Sequence, residues 1–189
     1  MTGDDLLDAL VNMPMQFWAC PDETHRRTGL VDWVGNIAHC REPGCGRTSA
    51  DPLVFEVDVP MLLPPKARTQ QPCEPLNANW RLHYHDRARR TRIIRDGVLV
   101  AARAARIPKG RHLTVTLHYQ PGDNRRRDED NLFPTLKAAC DALARGPRRD
   151  WVGLELVPDD TSAHMTKVAP IIHLGRGVRR LWLTVEVQR

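Results

Sequence analysis

His112-Leu-Thr-Val-Thr-Leu-His-Tyr119, a polar turn over 121–127, and Asp128-Glu-Asp-Asn-Leu-Phe-Pro-Thr-Leu-Lys-Ala-Ala-Cys-Asp-Ala-Leu143 together decide the fold. In the first part Leu113, Val115, Leu117 and Tyr119 alternate with threonines and histidines. That period of two puts the apolar side chains on one face of a half-buried strand. In the last part Leu132, Leu136, Ala139, Cys140 and Leu143 share one stripe at the 3.6-residue period of a helix. The helix is expected over 132–145, with Pro134 in its first turn, where a missing N–H costs nothing, and Gly146 just past its end.

Upstream, Leu53, Phe55, Val57 and Val59 alternate with Glu56 and Asp58, which predicts an opening strand over 53–59. Five prolines between 60 and 75 make that segment a loop, because proline lacks an N–H and restricts φ. Residues 86–106 contain no proline and space Ile94, Val98, Ala101 and Ala105 along one side, which predicts a helix with Gly97 as its weak point. Downstream, strands are expected over 163–174 and 179–187, joined as a hairpin across Gly175-Arg-Gly177. The order is β-α-β-α-β-β, an α+β domain with a mixed sheet and two helices over 52–189, preceded by a small irregular module over 1–51.

The 189-residue length suits one core with a small appendage. Hydrophobic residues at 41% and charged residues at 27% exclude a disordered chain, and no apolar run is long enough to span a membrane. The acidic start, Met1-Thr-Gly-Asp-Asp5, is unlike a signal peptide, so a cytoplasmic location is expected. Net charge is −4 over residues 1–51 and +9 over 52–189. The basic part is a candidate polyanion binder. An Arg-rich composition, with only four lysines among 28 basic residues, is the plainer source of that charge.

Chemistry concentrates at Arg125-Arg-Arg-Asp-Glu-Asp-Asn131, between the strand and the helix. If the backbone there is extended, Asp128 and Asp130 point to one face about 7 Å apart, close enough to share a hard cation. Magnesium takes oxygen ligands and keeps several waters, so two or three carboxylates hold it and leave room for a phosphate oxygen and a nucleophilic water. Arg125, Arg126 and Arg127 would offset repulsion between DNA phosphates and the acidic pair. A second pair, Asp159-Asp160, precedes the next strand, as a further ligand source or as a simple turn. Asn131 is read as a helix cap or as a group orienting Asp130, and Asp141 as the i, i+4 partner of Lys137.

Arg125-Arg-Arg-Asp-Glu-Asp-Asn-Leu132, Leu136-Lys-Ala-Ala-Cys-Asp-Ala-Leu143, a glycine, and Asp159-Asp160 together resemble the signature of the RusA-type Holliday junction resolvases. Asn79, Arg81 and His83 also resemble that family's segment after its first strand, and the likeness covers about residues 53–188. It implies a RusA-like fold, with Asp128, Asp130 and Asp160 as the catalytic Mg²⁺ ligands and Asp159 beside them. Lys137 matches the family's essential lysine, although three extra residues separate it from Asn131. Three residues turn a helix by about 300°, which returns Lys137 to within about 60° of the expected face.

The implied function is a crossover junction endodeoxyribonuclease that hydrolyses phosphodiesters in four-way or other branched DNA, in recombination and repair. Arg125, Arg126, Arg127, Arg89, Arg90, Asn79 and Arg81 would contact the DNA. A two-fold junction needs paired cuts, which implies a C2 homodimer. The resemblance also suggests a phage or prophage origin, with action in the host cytoplasm. A non-catalytic DNA-binding protein and a flap or general nuclease are the competing readings.

Cys20, His25, His39, Cys40 and Cys45 crowd the first module. Four of them, Cys20, His25, Cys40 and Cys45, form a candidate tetrahedral Zn²⁺ site that would stabilise a segment with little core. The alternative packs Cys20 near Trp18 and leaves the others on a loop. Cys73 and Cys140 are read as inert or core cysteines.

Overall fold

The alternation of residues 112–119 becomes a strand inside a four-stranded mixed sheet. The computed structural model describes residues 31–34, 37–41, 43–48, 51–65, 73–144 and 153–188. In chain order its elements are β1 (Val31–Val34), β2 (Ile37–Cys40), β3 (Leu53–Asp58), α1 (Tyr84–Ala104), β4 (His112–Gln120), a 3₁₀ turn (Glu129–Leu132), α2 (Phe133–Leu143), β5 (Met165–Ile172) and β6 (Arg180–Gln188). Two compact units divide the chain, one ending at Leu53 and the other beginning at Val54. The second unit is α+β.

In the first unit β1 and β2 form an antiparallel hairpin that pairs Val31 with Cys40 and Val34 with Ile37. The irregular module expected there therefore contains regular structure. Its sequence signal is the Gly-Asn pair between Val31-Asp-Trp-Val34 and Ile37-Ala-His-Cys40, residue types favoured between paired strands. The chain then turns back so that His39 bridges Thr48 and the Cys40 N–H donates to the Arg47 carbonyl at 2.9 Å.

In the second unit the strand order is β3-β6-β4-β5. β4 runs parallel to β5 through the α2 crossover and antiparallel to β6. The register sets Leu113 opposite Val187, Val115 opposite Val185, Leu117 opposite Leu183 and Tyr119 opposite Leu181. All eight side chains are buried. Burial of each such apolar side chain contributes roughly 1.5–3 kcal/mol.

The hairpin expected across Gly175-Arg-Gly177 is not formed, because β5 and β6 lie on opposite edges of β4. β6 alternates cleanly and fits a central position, whereas β5 carries Lys167 and Pro170 and has a broken burial pattern. Proline cannot donate to a ladder and is confined to edges and bulges. Pro170 falls on an edge strand, at the register shift where three steps along β5 match two along β4.

α1 and α2 pack against each other, and α2 also packs on β4 and β5. Their buried stripes are Ile94, Val98 and Ala102 in α1 and Leu136, Ala139, Cys140 and Leu143 in α2. The buried line of α1 thus runs through Ala102 rather than Ala101 and Ala105. Gly97 is not simply a weak point, since a Cβ there would stand 2.6 Å from Pro60 Cγ. Its missing side chain admits the chain that leaves β3. Among the described residues no helix is long and apolar enough to cross a membrane.

Candidate functional site

At the C-terminal end of β4 an aspartate the sequence reading passed over organises the turn. Asp123 Oδ1 accepts hydrogen bonds from the Arg125 N–H at 3.0 Å and Arg127 Nη1 at 2.6 Å, and its Oδ2 accepts from Arg127 Nη2 at 3.0 Å. Arg127 and then the Arg125 amide hold the Asp123 carboxyl well below the usual carboxylate range. Arg127 is thereby a strut of the loop, its guanidinium 5.9 Å from the centre of the buried Tyr119 ring. Arg125 and Arg126 remain exposed.

Asp128 is extended, with φ −93° and ψ 131°, but the 3₁₀ turn starts at the next residue. The Asn131 N–H closes that turn onto the Asp128 carbonyl at 3.2 Å. Asp128 and Asp130, both exposed, are consequently not related by strand alternation as expected. Asn131 does not cap α2 either, since Leu132 is the N-cap residue and makes no side-chain cap. The Asn131 carbonyl instead accepts from the Ala78 N–H at 3.1 Å, and the buried Thr135 hydroxyl donates to the Leu76 carbonyl at 3.0 Å. These two bonds tie segment 76–78 to the turn. A cleft of about 180 Å³ opens beside Asp128, walled by Glu74, Asn77, Tyr119, Arg126 and Arg127.

Asp160 arrives by a different route. The Leu154 N–H donates to the Ala142 carbonyl at 2.8 Å and the Leu156 N–H to the Leu143 carbonyl at 2.9 Å, which caps the open C-terminal end of α2. The chain then turns at Asp159, whose Oδ1 accepts from the Asp160 N–H at 2.6 Å, and enters β5. Asp160 Oδ2 accepts from Lys137 Nζ at 2.9 Å and from Lys167 Nζ at 2.6 Å. Lys137 also meets Asp141 at 3.0 Å, the expected i, i+4 pair, and Asp141 is held from α1 by Arg95.

The result is a line of alternating charge, Arg95, Asp141, Lys137, Asp160 and Lys167, joining α1, α2, the loop and β5. Hydrogen bonding from Lys167, partly opposed by burial and reinforced by Lys137, lowers the Asp160 pKa to about 2. Burial works against the Lys137 ammonium, but its bonds to Asp160 and Asp141 outweigh that and raise its pKa.

A depressed carboxyl pKa contributes stability above the unfolded value of about 4, and that contribution is lost as pH falls toward 2. Carbon-detected NMR should therefore find Asp160 titrating near 2, and higher in Lys167→Gln, where the first cause is removed. An Asp160 titration near the ordinary value in both proteins would contradict the paired geometry.

Among the described residues no three His, Cys, Asp or Glu side chains are gathered into one metal-binding group. Asp160 is turned to the lysines, while Asp128 and Asp130 stand at the start of the 3₁₀ turn, which packs on β5 and α2. Asp128 and Asp130 thus lie at the 3₁₀ turn and Asp160 in the loop before β5, each an oxygen donor of the kind a hydrated hard cation takes.

Of the remaining basic candidates, Arg89 is exposed and pairs with Asp86 at 3.4 Å, and Arg81 is exposed. Arg90 donates to the Leu63 carbonyl at 2.5 Å and lies 5.2 Å over the Trp80 ring. Asn79 is exposed, and its N–H is held by Asn77 Oδ1 at 2.8 Å. Cys20 and His25 lie outside the described residues, while Cys40 ends β2 and Cys45 lies in the turn that follows.

Lys167 is the functional candidate the sequence reading missed. Its signal was scarcity, since two of the chain's four lysines meet at one carboxylate. No family model and no curated protein matches the chain.

Proposed function

We propose that the chain is a Mg²⁺-dependent endodeoxyribonuclease of the RusA type, cutting four-way or otherwise branched DNA by phosphodiester hydrolysis. The observation that carries this reading is the 2.9 Å contact between Lys137 and Asp160, 23 residues apart. The resemblance singles out both residues, and Lys137 stands on the helix that follows the turn bearing Asp128 and Asp130. A lysine and a distant Asp-Asp pair that the resemblance singles out would have no need to meet if the likeness were accidental.

In this reading Asp128, Asp130 and Asp160 hold the cation, and Asp159 supports Asp160 by accepting its N–H. Bound Mg²⁺ supplies charge neutralisation and an acidified water. The protein's part is to aim and balance charge. Arg125 and Arg126 draw the phosphate backbone to the mouth of the cleft, with Arg127 keeping their loop in shape through Asp123. Lys137 stabilises the negative charge that grows as a water oxygen bonds to phosphorus and one P–O ester bond breaks. Arg89, Arg90, Arg81 and Asn79 extend the phosphate contacts.

Two copies related by a two-fold axis would place one site on each of two opposed strands of a junction. Cys20, His25, Cys40 and Cys45 remain proposed as a separate structural Zn²⁺ set. A second reading, non-catalytic DNA binding, draws on the neutralisation of Asp160 by two lysines, which gives that carboxylate a purely structural use.

The test is a substrate panel of four-way junction, flap and linear duplex, with Mg²⁺. Paired nicks near the crossover point, much faster than on duplex, are expected. Equal rates on every substrate would make it a general nuclease. Binding without any cleavage would favour the second reading.

A further inference from the structure

The segment that leads into α1, Trp80-Arg-Leu-His-Tyr-His85, sets aromatic rings among cations at the surface. Tyr84 opens the helix and is 76% exposed. Its ring meets that of His85 nearly at right angles, with centroids 5.5 Å apart, and His83 stacks on His85 at 5.3 Å. Both histidines are exposed as well. A single exposed aromatic residue is ordinary on a protein surface. Three clustered rings, all open to solvent, make a surface that a further flat ring can extend.

The surrounding charge narrows the choice of ligand. Residues 80–92 hold five arginines against one aspartate. Arg87 and Arg90 donate to the carbonyls of Trp80 at 3.2 Å and Leu63 at 2.5 Å, which fixes the two guanidinium groups without neutralising them. Arg81 is exposed and meets no carboxylate among the described residues. Open rings beside cations that lack counter-ions suit a polyanion that carries flat bases. In a duplex the base faces are already stacked on their neighbours, so only a strand with unpaired bases uses both the rings and the charge.

We infer that the start of α1 is a platform for single-stranded DNA, with Tyr84 stacked on an unpaired base and Arg81 and Arg87 on the phosphates beside it. This rests on the DNA-binding part of the function proposed above and deepens it, since it names the substrate as a branch point that exposes unpaired bases. The platform also lies within reach of the acidic turn. The Ala78 N–H is bonded to the Asn131 carbonyl at 3.1 Å, and the chain from Ala78 to Tyr84 spans at most about 20 Å. One bound strand can therefore meet both Tyr84 and the turn at Asp128 and Asp130.

The full-length chain is titrated in EDTA, which prevents metal-dependent cleavage, against a labelled single strand of mixed sequence, the matching duplex and a four-way junction. Tyr84→Ala should weaken single-strand binding by about tenfold and leave duplex binding unchanged, because stacking is lost while charge is kept. Tyr84→Phe, which keeps the ring, should bind as the wild type does. Arg81→Gln should lower the salt dependence on the single strand by about one phosphate contact. A fluorescent purine in the strand, dimmed by stacking, should be quenched by the wild type but not by Tyr84→Leu, which also serves if the alanine form does not fold.

If Tyr84→Ala and Tyr84→Leu bind the single strand as tightly as the wild type, or lose duplex binding by the same factor, Tyr84 reads no unpaired base and the inference falls, whatever the protein cleaves. A wild type that binds duplex and junction but no single strand also overturns it, with the nuclease reading intact. Binding to none of the three overturns both. Failure to cut a junction in Mg²⁺, with the Tyr84 effects present, removes the nuclease reading and upholds the platform.

Discussion

Asp130→Asn is expected to lower the Mg²⁺-dependent rate on a four-way junction by about a thousandfold, the equivalent of about 4 kcal/mol of transition-state stabilisation. The substitution keeps the side chain's shape and removes one anionic ligand. Asp130 is exposed in the 3₁₀ turn, and its contribution to the fold is its backbone carbonyl, which accepts the Phe133 N–H and is unchanged in the variant. Thermal stability should therefore stay within about 0.5 kcal/mol of wild type, as for most surface substitutions. Junction binding measured in Ca²⁺ should persist, because removing a negative charge beside a polyanion does not weaken attraction to it. A variant that cuts at the wild-type rate would remove Asp130 from the mechanism, and one that loses binding and cleavage together would give it a structural role.

Gly153→Ala should be the most damaging single change in the framework. A Cβ at this position would stand 1.8 Å from the Ala144 carbonyl oxygen and 3.1 Å from that of Ala142, both backbone atoms that cannot rotate aside. The loop must lift, and the bonds from Leu154 and Leu156 onto the end of α2 lengthen with it. Overpacking of this kind costs about 3 kcal/mol, or about 6–12 °C in a protein of this size, readable by differential scanning calorimetry. The same loop delivers Asp160 to Lys137, so cleavage should fall even at temperatures where the variant is folded. An unchanged melting temperature would show that the loop does not close on α2.

Much of this was legible in the sequence, for a physical reason. Strands and helices that bury one face must repeat apolar residues at their own period, and residues 53–58, 84–104, 112–120, 133–143 and 180–188 all do so. The strand partnership was not legible from period alone. Gly175-Arg-Gly177 looked like a hairpin turn, yet the α2 crossover had already committed one edge of β4 to β5. Pro170 carried the contrary signal, since it suits an edge strand.

Spacing offered Asp128 and Asp130, and the resemblance added Asp160 and Lys137, but the extended backbone considered for Asp128 to Asp130 gives way to a 3₁₀ turn after Asp128. An extended chain and a 3₁₀ turn are equally compatible with Asp-Glu-Asp-Asn, and the choice falls to tertiary bonds such as Ala78 N–H to the Asn131 carbonyl. Asp123 and Lys167 were not visible because their importance comes from partners, Arg127 across a turn and Asp160 across the start of a strand. Charged residues at surface positions carry no period by which to find them.

If Asp128, Asp130 and Asp160 hold one cation as proposed, that ion must bridge the 3₁₀ turn and the loop before β5. Crystals grown with Mn²⁺, whose anomalous scattering marks its own position, test it most directly. One peak within coordination distance of Asp128, Asp130 and Asp160 is expected. A map with no peak there, and Asp160 still bound by Lys137 and Lys167, would contradict it.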